Sequence, residues 1–160
     1  MPSARRPSQS ARRVEDPRAD LAFTLMSLAR KLQNLRFRDE GLNRFSPLEG
    51  LILSNVYRFP GVTPSELGEE LGLRSSNTSS ALRSLESQGL ITRTKSPHDP
   101  RSVQIHITPT AEEVLRRVWD EYSRFLASAD LSGEDLDAVA ENLHEVDEQL
   151  RPSPDSDPRR

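Results

Sequence analysis

The sequence predicts a mainly α-helical fold carrying one small antiparallel β-hairpin. Three observations predict it. Leucine and valine recur at three- and four-residue steps near both ends of the chain. Two similar helix starts, "SPLE" and "TPSE", stand between those stretches. Residues 91–107 switch to two-residue alternation on either side of a Pro- and Ser-containing loop.

In chain order, Leu21, Leu25, Leu28, Leu32 and Leu35 form the seam of an amphipathic helix from about Pro17 to Arg36. At "SPLE", Ser46 is an N-cap, Pro47 takes the first helical position and Glu49 reaches back, so a second helix opens there and ends before Pro60. "TPSE" repeats the device with Thr63, Pro64 and Glu66. This third helix is short, turns Leu67 and Leu71 inward and stops at Gly72. A fourth helix follows at once, "SSNTSSALRSLESQG", closed by Gly89, with Ser75 reading as its cap. Two helices joined by a tight glycine-containing turn are a helix-turn-helix. Ile91–Lys95 and Val103–Ile107 then read as two strands around the long tip "SPHDPRS". Thr108 and Pro109 start a fifth helix with the broad apolar face Val114, Leu115, Val118, Trp119, Tyr122, Phe125 and Leu126. "LSGED" opens a sixth, along which Leu136, Val139, Leu143, Val146 and Leu150 step by three and four.

The 160 residues suffice for one domain, assigned to residues 17–150. Residues 1–16 and 151–160 are rich in Pro, Ser and charge and read as disordered tails, the first of them basic. No apolar run approaches a bilayer span and none follows the basic N-terminus, so a soluble, cytoplasmic protein without a secretory signal is expected. The absence of cysteine removes disulfides, thiolate metal sites and thiol redox sensing. Net charge is −3, but its distribution is uneven. Residues 74–111 hold five basic and two acidic side chains, whereas residues 112–160 hold six basic and fourteen acidic ones. An acidic total is compatible with nucleic-acid binding, because phosphate contacts are local.

The fourth helix carries the chemistry. On a helical wheel Thr78, Ala81, Leu82 and Leu85 share the packed side, while Ser76, Ser80, Arg83 and Ser87 point away, with Asn77, Ser79 and Ser84 on the flanks. Solvated helix faces ordinarily use Glu, Lys and Arg, which favour helix more than Ser does. Small hydroxyl and amide side chains instead permit close approach to another surface, and they match base edges in the major groove. Arg74 and Ser75 open this helix, and the hairpin tip adds Lys95, His98 and Arg101, with Asp99 placed to restrain Arg101. A cationic tip directly after a helix-turn-helix suits phosphates or the minor groove.

The stretch "VTPSELGEELGL…ALRSLESQGLITR…DPRSVQIHIT" resembles the multiple antibiotic resistance regulator (MarR) family, over about residues 20 to 150. The family's D-x-R signature stands as Asp99-Pro100-Arg101; Thr78 and Ala111 depart from its usual apolar residue and glycine. The resemblance implies a winged helix-turn-helix over about 46–108, flanked by N- and C-terminal dimerisation helices over about 17–36 and 109–150. It implies a homodimer on palindromic double-stranded DNA, usually a repressor released by a small-molecule effector. By position it puts Ser76, Asn77, Ser80 and Arg83 in the major groove and Arg101 on the wing. Two apolar stripes at opposite ends of the chain each need a partner, either each other within one chain or, as the low hydrophobicity and the resemblance favour, an intermolecular bundle.

Other readings fare worse. His98, His106 and His144 have no metal spacing, so neither metal nor cofactor is expected. The C-terminal acids alternate with an apolar stripe and read as a solvated face, not paired catalytic carboxylates. No phosphate-cradling loop or nucleophile elbow appears, so an enzyme is not expected. Trp119, Tyr122 and Phe125 read as core, although the resemblance also implies an effector pocket for which Arg30 and Trp119 are candidates. An effector-independent DNA-binding protein, or a winged-helix module that binds protein through the acidic C-terminal third, are the alternatives.

Overall fold

The computed structural model describes residues 14–97, 101–129 and 132–150. The chain divides into two compact units, Met1–Arg36 and Phe37–Arg160. Helix α1, Pro17–Gln33, belongs to the first. The Asp16 side chain caps it by accepting from the Arg18 N–H at 2.9 Å. It ends three residues short of the predicted Arg36, because Asn34, a weak helix former, terminates it. No residue of α1 is buried, and Phe23 and Met26 are 67% and 73% exposed.

In the second unit a 3-10 turn, Glu40–Leu42, precedes α2, Pro47–Arg58. Both predicted capping boxes form, at Ser46/Glu49 on α2 and at Thr63/Glu66 on α3, Pro64–Glu70. Proline with its preset φ follows each cap, so both helices start where "SPLE" and "TPSE" place them. Helix α4 spans Ser75–Ser87, with Arg74 as N-cap and no side-chain bond to the cap. Ser75 is therefore the first helical residue and not the cap, a correction to the sequence reading. The Thr78 hydroxyl donates back to the Arg74 carbonyl inside the first turn, consistent with its burial.

Gly72 and Gly89 take φ of +60° and +69°, ending α3 and α4. Nothing lies within 4 Å of a Cβ built on either, so substitution meets only the left-handed backbone penalty. Gly72→Ala is expected to cost about 1–2 kcal/mol, read as a lowered urea midpoint with unchanged slope. An unaltered midpoint would show that the turn adapts without strain.

Strands β1, Ile91–Lys95, and β2, Val103–Ile107, pair antiparallel with Ile91 opposite Ile107 and Lys95 opposite Val103. A feature not anticipated lies on the other edge of β2. The Gly61 N–H donates to the Ile105 carbonyl and the Ile105 N–H donates to the Val62 carbonyl, both at 3.0 Å. The turn between α2 and α3 is thus hydrogen-bonded to the free edge of β2. Helix α5, Pro109–Leu126, is capped by Thr108, whose hydroxyl also donates to the Gly89 carbonyl at 2.8 Å. Helix α6 spans Gly133–Gln149 and is capped by Ser132.

The core of this unit joins Ile52, Leu53 and Val56 of α2, Leu67 of α3, Leu82 and Leu85 of α4, Ile105 of β2 and Leu115 of α5. Leu42 of the 3-10 turn belongs to it as well, at 1% exposure. Trp119 stands outside that core at 37% exposure, against the expectation from its apolar face, while Tyr122 packs partly against it. None of α6 is buried; Leu136, Val139 and Leu143 stay exposed. Among the described residues, no helix is long and apolar enough to cross a membrane.

Candidate nucleic-acid interface

The tight turn at Gly72 sends the chain from α3 directly into α4, whose inner face buries Thr78, Ala81, Leu82 and Leu85. That burial decides what the outer face presents. Arg74, Ser75, Ser76, Asn77, Ser80 and Arg83 are exposed, and Ser79 lies half-buried on the flank. The hydroxyls of Ser75, Ser76, Ser79 and Ser80 make no hydrogen bond to any described residue. Two other serines are committed inward. Ser84 donates to Glu49 at 2.7 Å, and Ser87 donates to the Ser84 carbonyl at 2.8 Å. The free hydroxyls are therefore concentrated in the first half of α4.

Charge is arranged alongside. Arg74, Arg83 and Lys95 have no ion-pair partner among the described residues. Arg93 instead pairs with Glu86 at 2.9 Å and ties β1 to the end of α4. Arg101 is exposed at the far side of the hairpin tip. His98 and Asp99, and with Asp99 the restraint suggested for Arg101, lie outside the described residues. His106 faces across the hairpin to the Thr94 hydroxyl at 3.2 Å. Among the described residues, no group of three or more His, Cys, Asp or Glu is placed to hold a metal ion.

Sequence reasoning missed the carboxylates that position these elements. Glu49 is 8% exposed on α2 and accepts from Ser46, Ser84 and Gln88. Burial pushes its carboxyl up, but these hydrogen bonds outweigh burial and leave it below the usual range. Glu121, 5% exposed on α5, accepts from the Arg38 N–H at 3.2 Å and pairs with Arg124. Asp39 pairs with Arg117, whose hydrogen bond holds its carboxyl below the usual range. Residues 37–39 are thus fastened to α5, with Phe37 edge-on to Tyr122 at 5.6 Å. The capping pattern marked Glu49, but nothing in the sequence spacing marks contacts 35 to 83 residues apart.

The two ligand candidates lie in different units. Arg30 is exposed on α1. Trp119 lies on α5 edge-on to Tyr57, with ring centroids 5.1 Å apart.

A MarR family model matches residues 45–102, the segment from α2 through the hairpin tip. The organic hydroperoxide resistance transcriptional regulator of Bacillus subtilis is 33% identical over 100 residues, covering 62% of this chain and 68% of that protein. A MarR protein from Peptoclostridium difficile shares the fold with a TM-score of 0.66 at 16% identity, covering 89% of this chain and 94% of that one. Streptococcus pneumoniae FabT, solved in complex with DNA, gives 0.53 at 23% identity, covering 83% and 91%.

Proposed function

The chain belongs to the MarR family of transcriptional regulators, and we propose that it is a sequence-specific double-stranded DNA-binding regulator acting as a homodimer. The observation that carries this reading is the outer face of α4. It offers unbonded hydroxyls, an exposed amide and an unpaired guanidinium on a helix delivered by a tight turn. In the proposal Ser76, Asn77, Ser80 and Arg83 read base edges in the major groove, and Ser79 contributes from the flank. Arg74, Ser75 and Lys95 contact phosphates, with Arg101 and His98 serving the wing. The uncapped first turn of α4 favours a phosphate oxygen as outside acceptor for its amides.

The exposed stripe on α6 supports a second copy of the chain as partner. A twofold dimer sets two copies of α4 about 34 Å apart, one turn of duplex, and so calls for a palindromic operator. Repression relieved by a small-molecule effector, action without a catalytic step and a cytoplasmic location complete the reading. The DNA complex of FabT, a protein of the same fold, supports it.

Selection of bound duplexes from a random pool tests the proposal. The expected product is a palindrome with half-sites one turn apart. Asn77→Ala should change the selected bases, whereas Arg101→Ala should weaken all duplexes and flatten the salt dependence by about one phosphate contact. No enrichment by the native chain overturns the proposal.

A further inference from the structure

Resting on this DNA-binding reading, we propose that Glu49 is a positioning residue for base recognition, its carboxylate setting the rotation of α4 about its own axis through Ser84 and Gln88.

The chain contains its own comparison. Glu49 and Glu66 occupy the same place in two capping boxes. In each, Oε2 accepts from the backbone N–H and hydroxyl of the cap, at 2.8 and 2.9 Å from Ser46 and at 2.8 Å for both bonds from Thr63. The Glu66 carboxylate accepts no further hydrogen bond among the described residues. Glu49 turns its other oxygen to α4, where Oε1 accepts from the Ser84 hydroxyl at 2.7 Å and from Gln88 Nε2 at 3.4 Å. Gln88 Nε2 also donates to the Ser84 hydroxyl oxygen at 3.2 Å, closing a three-residue cluster. The carboxylate is thus shared between the start of one helix and the flank of another. Closing the box alone does not require that sharing, as Glu66 demonstrates.

Apart from the part-exposed Arg93–Glu86 ion pair, the remaining contacts of α4 are mainly apolar. The buried face of α4 is Thr78, Ala81, Leu82 and Leu85, and apolar packing has little directionality. A carboxylate only accepts, so its donors must point at it. Side-chain ends lie about 5–6 Å from a helix axis, so a rotation of about 10° moves Ser76, Ser80 or Arg83 by about 1 Å. Hydrogen bonds to base edges tolerate only roughly 0.5 Å of spread. Phosphate contacts through long cationic side chains absorb such a shift more readily. Loss of the Glu49 contact therefore harms sequence discrimination more than general DNA affinity.

Ser84→Ala removes the shorter of the two bonds to Glu49 while leaving the Ser46–Glu49 cap in place. The full-length chain is measured at one salt concentration against its selected duplex and against a random duplex, with thermal unfolding in parallel. Ser84→Ala should bind the selected duplex about tenfold more weakly and the random duplex within about twofold of native. Ser84→Thr, which keeps the hydroxyl, should restore discrimination. Gln88→Ala, at an exposed position, should shift the ratio in the same direction and serves if Ser84→Ala does not fold. Thr63→Ala, which breaks the unlinked box, should lower the melting temperature without changing the ratio. Unchanged discrimination in the folded variants, or parallel loss on both duplexes, overturns the inference alone. A native chain that discriminates between no duplexes overturns the DNA-binding reading, and the inference with it.

Discussion

Leu82→Ala is expected to destabilise the second unit by about 2–5 kcal/mol, the usual cost of truncating a fully buried leucine. Leu82 is 0% exposed and stands in the middle of α4. The loss is a large part of the roughly 5–15 kcal/mol that holds a domain together. Its local consequence follows from the composition of α4. Ser75, Ser76, Asn77, Thr78, Ser79 and Ser80 succeed one another through its first turns, and none is a strong helix former. Tertiary packing therefore supplies most of the helicity. Urea unfolding should show the midpoint falling with little change in slope, and affinity for the selected duplex should fall with it. A loss under about 1 kcal/mol would show that Leu85 and the Glu49 contact suffice to hold the helix.

Leu143→Asp is expected to leave a folded chain that no longer dimerises. Leu143 is 36% exposed on α6, so an acid there does not enter the core. Helix α6 already carries seven acidic residues and no Lys or Arg, and an eighth acid inside its apolar stripe opposes burial against a second copy. Light scattering should report a dimer for the native chain and a monomer for the variant. Binding to a two-half-site duplex should weaken at least about a hundredfold, because the second half-site is no longer presented at high effective concentration. Binding to an isolated half-site should persist. A variant that remains dimeric places the interface elsewhere than this stripe.

Elements whose signals are local were readable from the chain itself. "SPLE" and "TPSE" carry cap, proline and returning glutamate within four residues, and both helices begin there. The wheel of α4 separated Thr78 from its polar neighbours, and Thr78 is 2% exposed. The outward placement of Ser76, Ser80 and Arg83 follows from the same periodicity. What escaped depends on distant partners. Ser75 looked like a cap because serine favours that role, but the backbone of Arg74 already occupies it. Trp119 shares a face with Leu115 and Tyr122, yet it lies past the edge of the core, against Tyr57. Glu121 and Asp39 were ordinary acids in sequence, and Glu49 was marked only as a capping residue; folding alone brings Ser84, the Arg38 amide and Arg117 to them.

The pairing of Gly61 and Val62 with Ile105 gives the hairpin a mechanical character. It behaves as a cantilever. Its fixed end is bolted on both sides of β2, by β1 and by the α2–α3 turn. Lys95 and Val103 pair two residues beyond that bolt, and past them the Ser96 N–H donates to the Ser102 carbonyl at 2.9 Å. Stiffness is therefore greatest at Ile105, where β2 is held along both edges. The bolt is set in the same short turn that launches the helix-turn-helix. A small change of angle in that turn would move the β1–β2 hairpin and α3 together, so the two share one hinge line.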